Sequence, residues 1–198
     1  MFEILTVCTG NVCRSPVAEQ LLRDHLRDLG ATVSSAGTHG LTASPMTPEA
    51  QRIAVQLGVT ETDAADHRGR ILTEDLLHSP DLILTMTRAH RKAVAETAPS
   101  RVRSTFTIRE FARLTREISP DDVRETVASV GGAPSARVRA LSHLVSTMRG
   151  VAPPPDDPAD DDVIDPYRRA WEIYEQSAAE LQPAVRSVVS LIRSALSA

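Results

Sequence analysis

Cysteine is scarce in this chain: Cys8 and Cys13 are the only two among 198 residues. Two thiols five positions apart build neither a disulfide scaffold nor a zinc site, but they suit a reducing compartment and a reactive thiol. Excess positive charge is also missing. A formal net charge of -4 leaves no basic footprint for nucleic acid. No stretch is long and apolar enough to cross a bilayer, and the first residues lack the charged region and cleavage site of a signal peptide. No internal repeat is visible. These absences predict a cytoplasmic chain without membrane or nucleic-acid partners. At 41% hydrophobic, residues 1–198 suffice for a single domain with one good core. Oligomeric state is not legible.

What is present concentrates in ten residues, Val7-Cys8-Thr9-Gly10-Asn11-Val12-Cys13-Arg14-Ser15-Pro16. Phe2, Ile4, Leu5 and Val7 read as a buried strand leading into them. Ser15-Pro16 reads as an N-cap followed by the first helical residue. The loop between can curl its N–H groups around one anion, with a helix N-terminus aimed at the same point. Gly10 is suited to a positive φ, and Asn11 tolerates the left-handed region. A helix N-terminus, converging N–H groups and Arg14 favour the thiolate of Cys8, the attacking species. Arg14 offers a planar fork for two phosphate oxygens, and Ser15 can donate to the sulfur. A bare Cys-x5-Arg match is weak; strand, glycine, serine and proline in their places make it strong.

Strands and helices alternate around this loop. Val17, Leu21, Leu22, Leu26 and Leu29 follow helical spacing up to Gly30. A strand is predicted over Thr32 to Ser35, and a helix from Thr47-Pro48-Glu49 to Gly58. A helical turn follows Thr73, then a strand from Leu82 to Thr85, a helix from Arg88 to Ala98, and a strand from Ser104 to Ile108. Such a βαβ series predicts an α/β fold, a parallel sheet with helices on both faces and a site beyond a strand's C-terminal end. Residues 115–162 carry a helix with Val138, Leu141, Leu144, Val145 and Met148, then Pro153-Pro154-Pro155 and an acidic run read as a solvated loop. The run precedes Asp165 and is placed to overhang the pocket. A last helix carries Trp171 to Leu181, is expected to kink or break at Pro183, and resumes with Val185, Val188, Val189 and Ile192.

Displacement by Cys8 needs a proton for the departing oxygen. Asp165, stiffened by Pro166, is the best candidate, with Asp161 or Asp162 as the fallback.

The ten-residue loop resembles the signature of the low-molecular-weight protein tyrosine phosphatases, a family that includes thiol-dependent arsenate reductases. The resemblance extends to Ser35-Ala36-Gly37-Thr38, His67 to Arg70, Asp81 to Met86 and Asp165-Pro166-Tyr167, covering residues 1–114 and 163–181. It implies a flavodoxin-like three-layer fold with a four-stranded parallel sheet, residues 115–162 being an insertion. It also implies phosphotyrosine hydrolysis through a phosphocysteine, without metal or cofactor. Cys8 would be nucleophile, Arg14 the phosphate clamp and Asp165 the general acid and base. Thr9, Gly10, Asn11, Val12, Cys13 and Ser15 would cradle inorganic phosphate or the phosphoryl group of a phosphotyrosine protein. Leu41 and Tyr167 would wall the cleft, which lacks a second aromatic because Arg168 follows Tyr167. Asn11, Ser15, Ser35 and His67 match a network that holds the loop. His39, His78, His90 and His143 receive no role.

Cys13 matches the family's partner cysteine and implies reversible oxidation as a Cys8–Cys13 disulfide. Other readings are a small-thiol-dependent arsenate reductase, a phosphoarginine phosphatase and an inactive phospho-anion binding module. An internal thiol relay lacks its cysteines downstream. Relatives selecting phosphoarginine resemble each other in a threonine where Val12 stands. The physiological substrate and the cognate kinase are not legible.

Overall fold

A computed structural model describes residues 1–197. Four parallel strands, β1 (Phe2–Cys8), β2 (Ala31–Gly37), β3 (Leu82–Thr85) and β4 (Thr105–Thr107), lie in the order β2-β1-β3-β4. Phe2 faces Ala31 and Cys8 faces Gly37 across β1 and β2, while Val7 faces Thr85 on the other side. The helices are α1 (Arg14–Leu26), α2 (Pro48–Gln56), α3 (Glu61–Asp66), α4 (Asp75–His78), α5 (Arg88–Thr97), α6 (Ile108–Leu114), α7 (Pro120–Ala128), α8 (Pro134–Thr147) and α9 (Trp171–Ser197).

The strand period of two splits the core into two layers. Phe2, Ile4, Val33, Leu82, Leu84 and Phe106 pack on one face against Leu22 of α1, Phe111 of α6, Val138 of α8 and Val188 of α9. Leu5, Val7, Ala36 and Ile83 pack on the other against Leu77 of α4 and Val94 of α5. The expected three-layer α/β fold is the one observed. Because β1 is central and its neighbours β2 and β3 follow later in the chain, its C-terminal end is a crevice at a topological switch point.

Several expected boundaries move, each for a local reason. Helix α1 begins at Arg14 with Cys13 at the N-cap. Ser15 is therefore inside the helix, its hydroxyl directed at Cys8 rather than at a backbone amide. Strand β4 stops at Thr107, because Thr107 and Glu110 form a capping box that starts α6 at Ile108. Helix α3, capped by Thr60, was not expected. The 115–162 segment carries two helices, α7 and α8, instead of one. Buried Asp81 holds α8 against the sheet: its carboxylate accepts the Glu3 amide at 2.9 Å, the Ser135 hydroxyl at 2.7 Å and the Arg139 guanidinium.

Helix α9 runs unbroken through Pro183. Proline removes the donor for the Ala179 carbonyl, yet both residues border an open groove rather than the core. Buried Leu181, Ala184, Val185 and Val188 on either side keep the helix on its seat. The acidic run is not uniformly solvated either. Asp161 is only 8% exposed and accepts from Nε and Nη2 of Arg113, while Asp162 accepts the Arg88 amide at 2.7 Å.

Candidate active site

Five consecutive carbonyls define the loop after β1. Those of Cys8, Thr9, Gly10 and Val12 accept the amides of Thr38, His39, Leu41 and Thr47 at 2.9 to 3.0 Å. That of Asn11 accepts His67 Nε2 at 2.8 Å. With every carbonyl turned outward, the peptide N–H groups are left to converge on the interior of the loop. The Asn11 amide already reaches Cys8 Sγ at 3.3 Å, and Ser15 Oγ donates to the same sulfur at 2.9 Å. This is a cradle for one anion with a sulfur at its floor.

Asn11 is the residue in the left-handed region, at φ 57°; Gly10 is not. A Cβ at Gly10 would make only ordinary contacts, 3.5 Å from Val12 and 3.7 Å from Leu41. Close approach is demanded instead at Gly37, where a Cβ would stand 2.4 Å from the Thr9 carbonyl. The strained position is paid for by the Asn11 amide. Its Nδ2 donates to Ser15 Oγ at 3.0 Å and Ser35 Oγ at 2.7 Å, and its Oδ1 accepts the Arg70 amide at 2.9 Å. Ser35 Oγ in turn donates a hydrogen bond to Glu19, which also faces His67 Nδ1 at 3.7 Å. Burial is the main cause that holds His67 below the usual histidine range. Ser35 and His67 thus join Asn11 as expected; Glu19 and Arg70 were missed, since nothing local marks a helical glutamate as a partner of a distant loop.

Arg14 is 4% exposed and fans across the same space. Its Nη1 donates to the Val163 carbonyl at 3.0 Å, and its Nη2 meets Asp165 Oδ2 at 2.6 Å. Its Nε is buried without a partner. A buried guanidinium N–H is costly to leave unpaired, so an anion in the cradle would complete it. Asp165 is half exposed, and its Oδ1 accepts the Tyr167 amide at 3.2 Å, which fixes the turn.

A cavity of about 280 Å³ opens above the sulfur, lined by Cys8, Thr9, Val12, His39, Leu41, Asp165, Tyr167 and Arg168 among others. Leu41 and Tyr167 stand in its wall as expected. So does His39, which had been given no role. The acidic run does not overhang it: none of residues 156–162 reaches the lining. Asp161 and Asp162 are committed to Arg113 and Arg88, which leaves Asp165 as the carboxylate at the sulfur. A larger groove of about 560 Å³ lies elsewhere, between α6, Pro153–Pro155 and α9, and holds no nucleophile.

Two buried groups sit directly behind the cradle. Cys13 Sγ contacts Thr47 Oγ1 at 3.6 Å and Tyr174 OH at 3.9 Å, and burial pushes its thiol up to about 11. His90, only 6% exposed, lies between Thr9 and Thr87; burial and then the nearby Arg14 lower it to about 4. His90 is the second histidine that sequence reasoning passed over.

Comparison with known proteins agrees with this geometry. Residues 3–125 match the model of the low molecular weight phosphotyrosine protein phosphatase family. The chain is 44% identical over 97 residues to the low molecular weight protein-tyrosine-phosphatase Etp of Escherichia coli K12, covering 49% of this chain and 62% of that protein. It is 34% identical over 193 residues to a protein-arginine-phosphatase of Bacillus subtilis, covering 96% of this chain and 97% of the other. Among solved structures, the tyrosine phosphatase Wzb of Escherichia coli K30 in complex with sulphate superposes with a TM-score of 0.65. That match spans 96% of this chain and 98% of the other at 24% identity. The chain therefore spans less than two thirds of Etp and nearly all of the arginine phosphatase.

Proposed function

The chain belongs to the low molecular weight phosphotyrosine protein phosphatase family, and from that premise we propose that it hydrolyses phosphotyrosine in proteins through a phosphocysteine. The observation that carries this reading is the ring of outward-turned carbonyls around Cys8, beside Arg14, which lines the same cavity and has a buried Nε without a partner. Residues 1–198 are read as one such domain with 115–162 as an insertion, working in the reducing cytoplasm. No described helix is long and apolar enough to cross a membrane.

The phosphoryl oxygens take the loop N–H groups and the Arg14 fork, which leaves phosphorus in line with Cys8 Sγ. The sulfur forms the S–P bond as the ester P–O bond breaks. Asp165 gives its proton to the departing phenolate oxygen, since an unprotonated oxygen leaves poorly. Asp165, now a carboxylate, takes a proton from the water that attacks phosphorus. The S–P bond breaks, and Ser15 donates to the departing thiolate at the 2.9 Å contact already formed. Loop donors aimed where charge develops are the main source of acceleration in such a site.

Phosphoarginine is the second reading, favoured by the match to the Bacillus subtilis enzyme over nearly the whole chain. Against it, apolar Val12, Leu41 and Tyr167 suit an aryl ring, and Arg168 stands at the mouth where it opposes a guanidinium. Phosphate release from matched phosphotyrosine, phosphoarginine and phosphoserine peptides, with Cys8→Ser as control, separates them. Cysteine-dependent turnover of phosphotyrosine alone is expected. Turnover of phosphoarginine alone overturns the substrate assignment. No turnover of any peptide overturns the phosphatase reading and directs the test to arsenate with small thiols.

A further inference from the structure

His90 lies outside the active-site cavity, yet it is wired into it. The residue is in the first turn of α5, and its ring is bracketed by two threonine hydroxyls: Thr87 Oγ1 is 2.8 Å from Nδ1, and Thr9 Oγ1 is 2.9 Å from Nε2. Thr9 is in the cradle and lines the cavity. A histidine buried to this extent is held neutral by its surroundings, so one ring nitrogen donates and the other accepts.

Counting hydrogens leaves one hydroxyl hydrogen over in either tautomer, and an anion in the cradle decides which. Thr87 Oγ1 already accepts the His90 amide at 3.3 Å as the cap of α5. If Nδ1 carried the ring proton, Thr87 would accept twice and its own hydrogen would be the one left over. Thr9 would meanwhile spend its hydrogen on Nε2. If Nε2 carries the proton, Thr87 donates to Nδ1, and Nε2 donates to Thr9 Oγ1. Thr9 also accepts from Arg14 Nη2 at 3.5 Å. Its hydroxyl hydrogen is then the only one left over, and the cavity is where it can go. An oxyanion in the cradle gives every hydrogen of the chain an acceptor, so the bound anion itself favours this tautomer.

We propose that His90 is a positioning residue that orients the Thr9 hydroxyl as an additional donor to the phosphoryl group, through a Thr87–His90–Thr9 hydrogen-bond chain. The proposal rests on the reading of the loop as a phosphate cradle. It adds a side-chain donor on the cavity wall to the backbone donors and Arg14, and its directional control comes from outside the loop. A donor to a charged oxygen that strengthens as charge develops is expected to change the rate by about tenfold or more.

The test is a double-mutant cycle on aryl phosphate hydrolysis, using Thr9→Val, His90→Phe and the pair, with Thr9→Ser as the hydroxyl-retaining control. Thr9→Val and His90→Phe are each expected to lose about tenfold in kcat/KM, Thr9→Ser to recover most of the Thr9→Val loss, and the double variant to lose no more than either single. Losses that multiply in the double variant would mean that His90 acts independently of Thr9, and the proposal falls. It falls equally if Thr9→Val has no effect. Binding of inorganic tungstate to the folded variants, measured by calorimetry, is the second arm. It is expected to weaken in the same non-additive pattern and decides the matter without turnover. A wild-type protein that binds tungstate but hydrolyses no aryl phosphate would defeat the phosphatase reading while leaving the Thr9–His90 coupling measurable. If His90→Phe does not fold, Thr9→Val against Thr9→Ser still decides whether the hydroxyl is a donor.

Discussion

Replacing Glu180 with alanine is expected to damage catalysis to a degree set by the leaving group. Glu180 is on α9, behind the acid-bearing segment, where its Oε2 accepts the Ile164 amide at 2.8 Å. The same oxygen stands 3.8 Å from Arg109, which donates to the Asp162 carbonyl at 2.7 Å. Both contacts pin the backbone immediately before Asp165. Losing a hydrogen bond to a charged acceptor costs ~1.5–3 kcal/mol, and the half-buried ion pair adds on the order of 0.5 kcal/mol. If about 2 kcal/mol of this appears as misplacement of Asp165, proton delivery slows about 30-fold. That is below the 10²–10⁴-fold that general acid catalysis supplies, so the loss does not exceed what there is to lose.

The measurement is kcat/KM over a series of aryl phosphates, from strongly acidic to weakly acidic leaving phenols. This parameter reports the steps up to departure of the phenol and is blind to later hydrolysis of the phosphocysteine. A strongly acidic phenol leaves without a proton, so its ester should lose less than about threefold, while the weakly acidic one loses about 30-fold. Glu180→Gln keeps an acceptor for Ile164 and should recover most of the difference. An equal loss for every leaving group would refute the reasoning, because it would mean that Glu180 supports the fold or the cradle rather than the acid.

Arg14→Lys removes the planar fork, and kcat/KM should fall by about 10³ while the fold persists; a loss under tenfold would show that charge alone suffices. Asn11→Ala gives up three hydrogen bonds and leaves at φ 57° a residue that tolerates the left-handed region less well than asparagine, so stability should drop by about 3 kcal/mol in urea unfolding. Unchanged stability there would sink the network argument. Peroxide inactivation should be reversed by reductant in wild type but not in Cys13→Ser, and disulfide formation should accelerate with pH. The reason is that burial holds Cys13 up to about 11, so its attacking thiolate is rare at neutral pH. Full recovery of the serine variant would exclude Cys13 as the trap. His90 titrates at about 4 in the fold against 6.5 when free, so the unfolded chain binds more protons between these values. Stability should therefore fall as pH drops from 6.5 towards 4, by roughly 3 kcal/mol for this group, and His90→Phe should flatten that limb in urea melts. An unaltered slope would show that another group carries it.

The loop was legible because its chemistry is local. Cys8, Asn11, Arg14 and Ser15 are within one turn of chain, and the types that bind an anion there are few. The strands were legible for a similar reason: Leu82 to Leu84 is a continuous apolar run, and buried parallel strands have that pattern. Short capped elements were less so. Thr60 and Asp63 start α3 in a stretch whose only buried residue is Ala64, so no apolar period announces it. Ser15 was misread as a cap because serine before proline is the usual cap signal; its other reading, as a donor to the sulfur, is the one the fold keeps. His90 and Glu180 were illegible in principle. Their partners, Thr9 and Ile164, are brought close by packing, and a lone histidine or helical glutamate has no local signature.

The acidic run before Asp165 is where composition misled most, and the correction changes how the site must open. Its aspartates look alike in sequence, but their partners divide them. Asp156, Asp157 and Asp160 remain exposed, while Asp161 is bound by Arg113 and Asp162 by Arg88. The segment is then fastened residue by residue. Thr107 donates to the Asp161 carbonyl, Arg109 to that of Asp162, Val163 bonds Met86 at 2.8 Å, and Ile164 bonds Glu180. Those anchors come from β4, α6, the end of β3 and α9. Asp165 is consequently carried on the end of a fixed strap rather than on a free loop. The compliant part lies just beyond it, where Tyr167 is 37% exposed and Arg168 sits at φ 59° with its guanidinium 5.1 Å from the Tyr167 ring. On the proposed reading, a substrate too bulky for the cavity would be accommodated by Tyr167 and Arg168, while Asp165 would keep its distance from the sulfur.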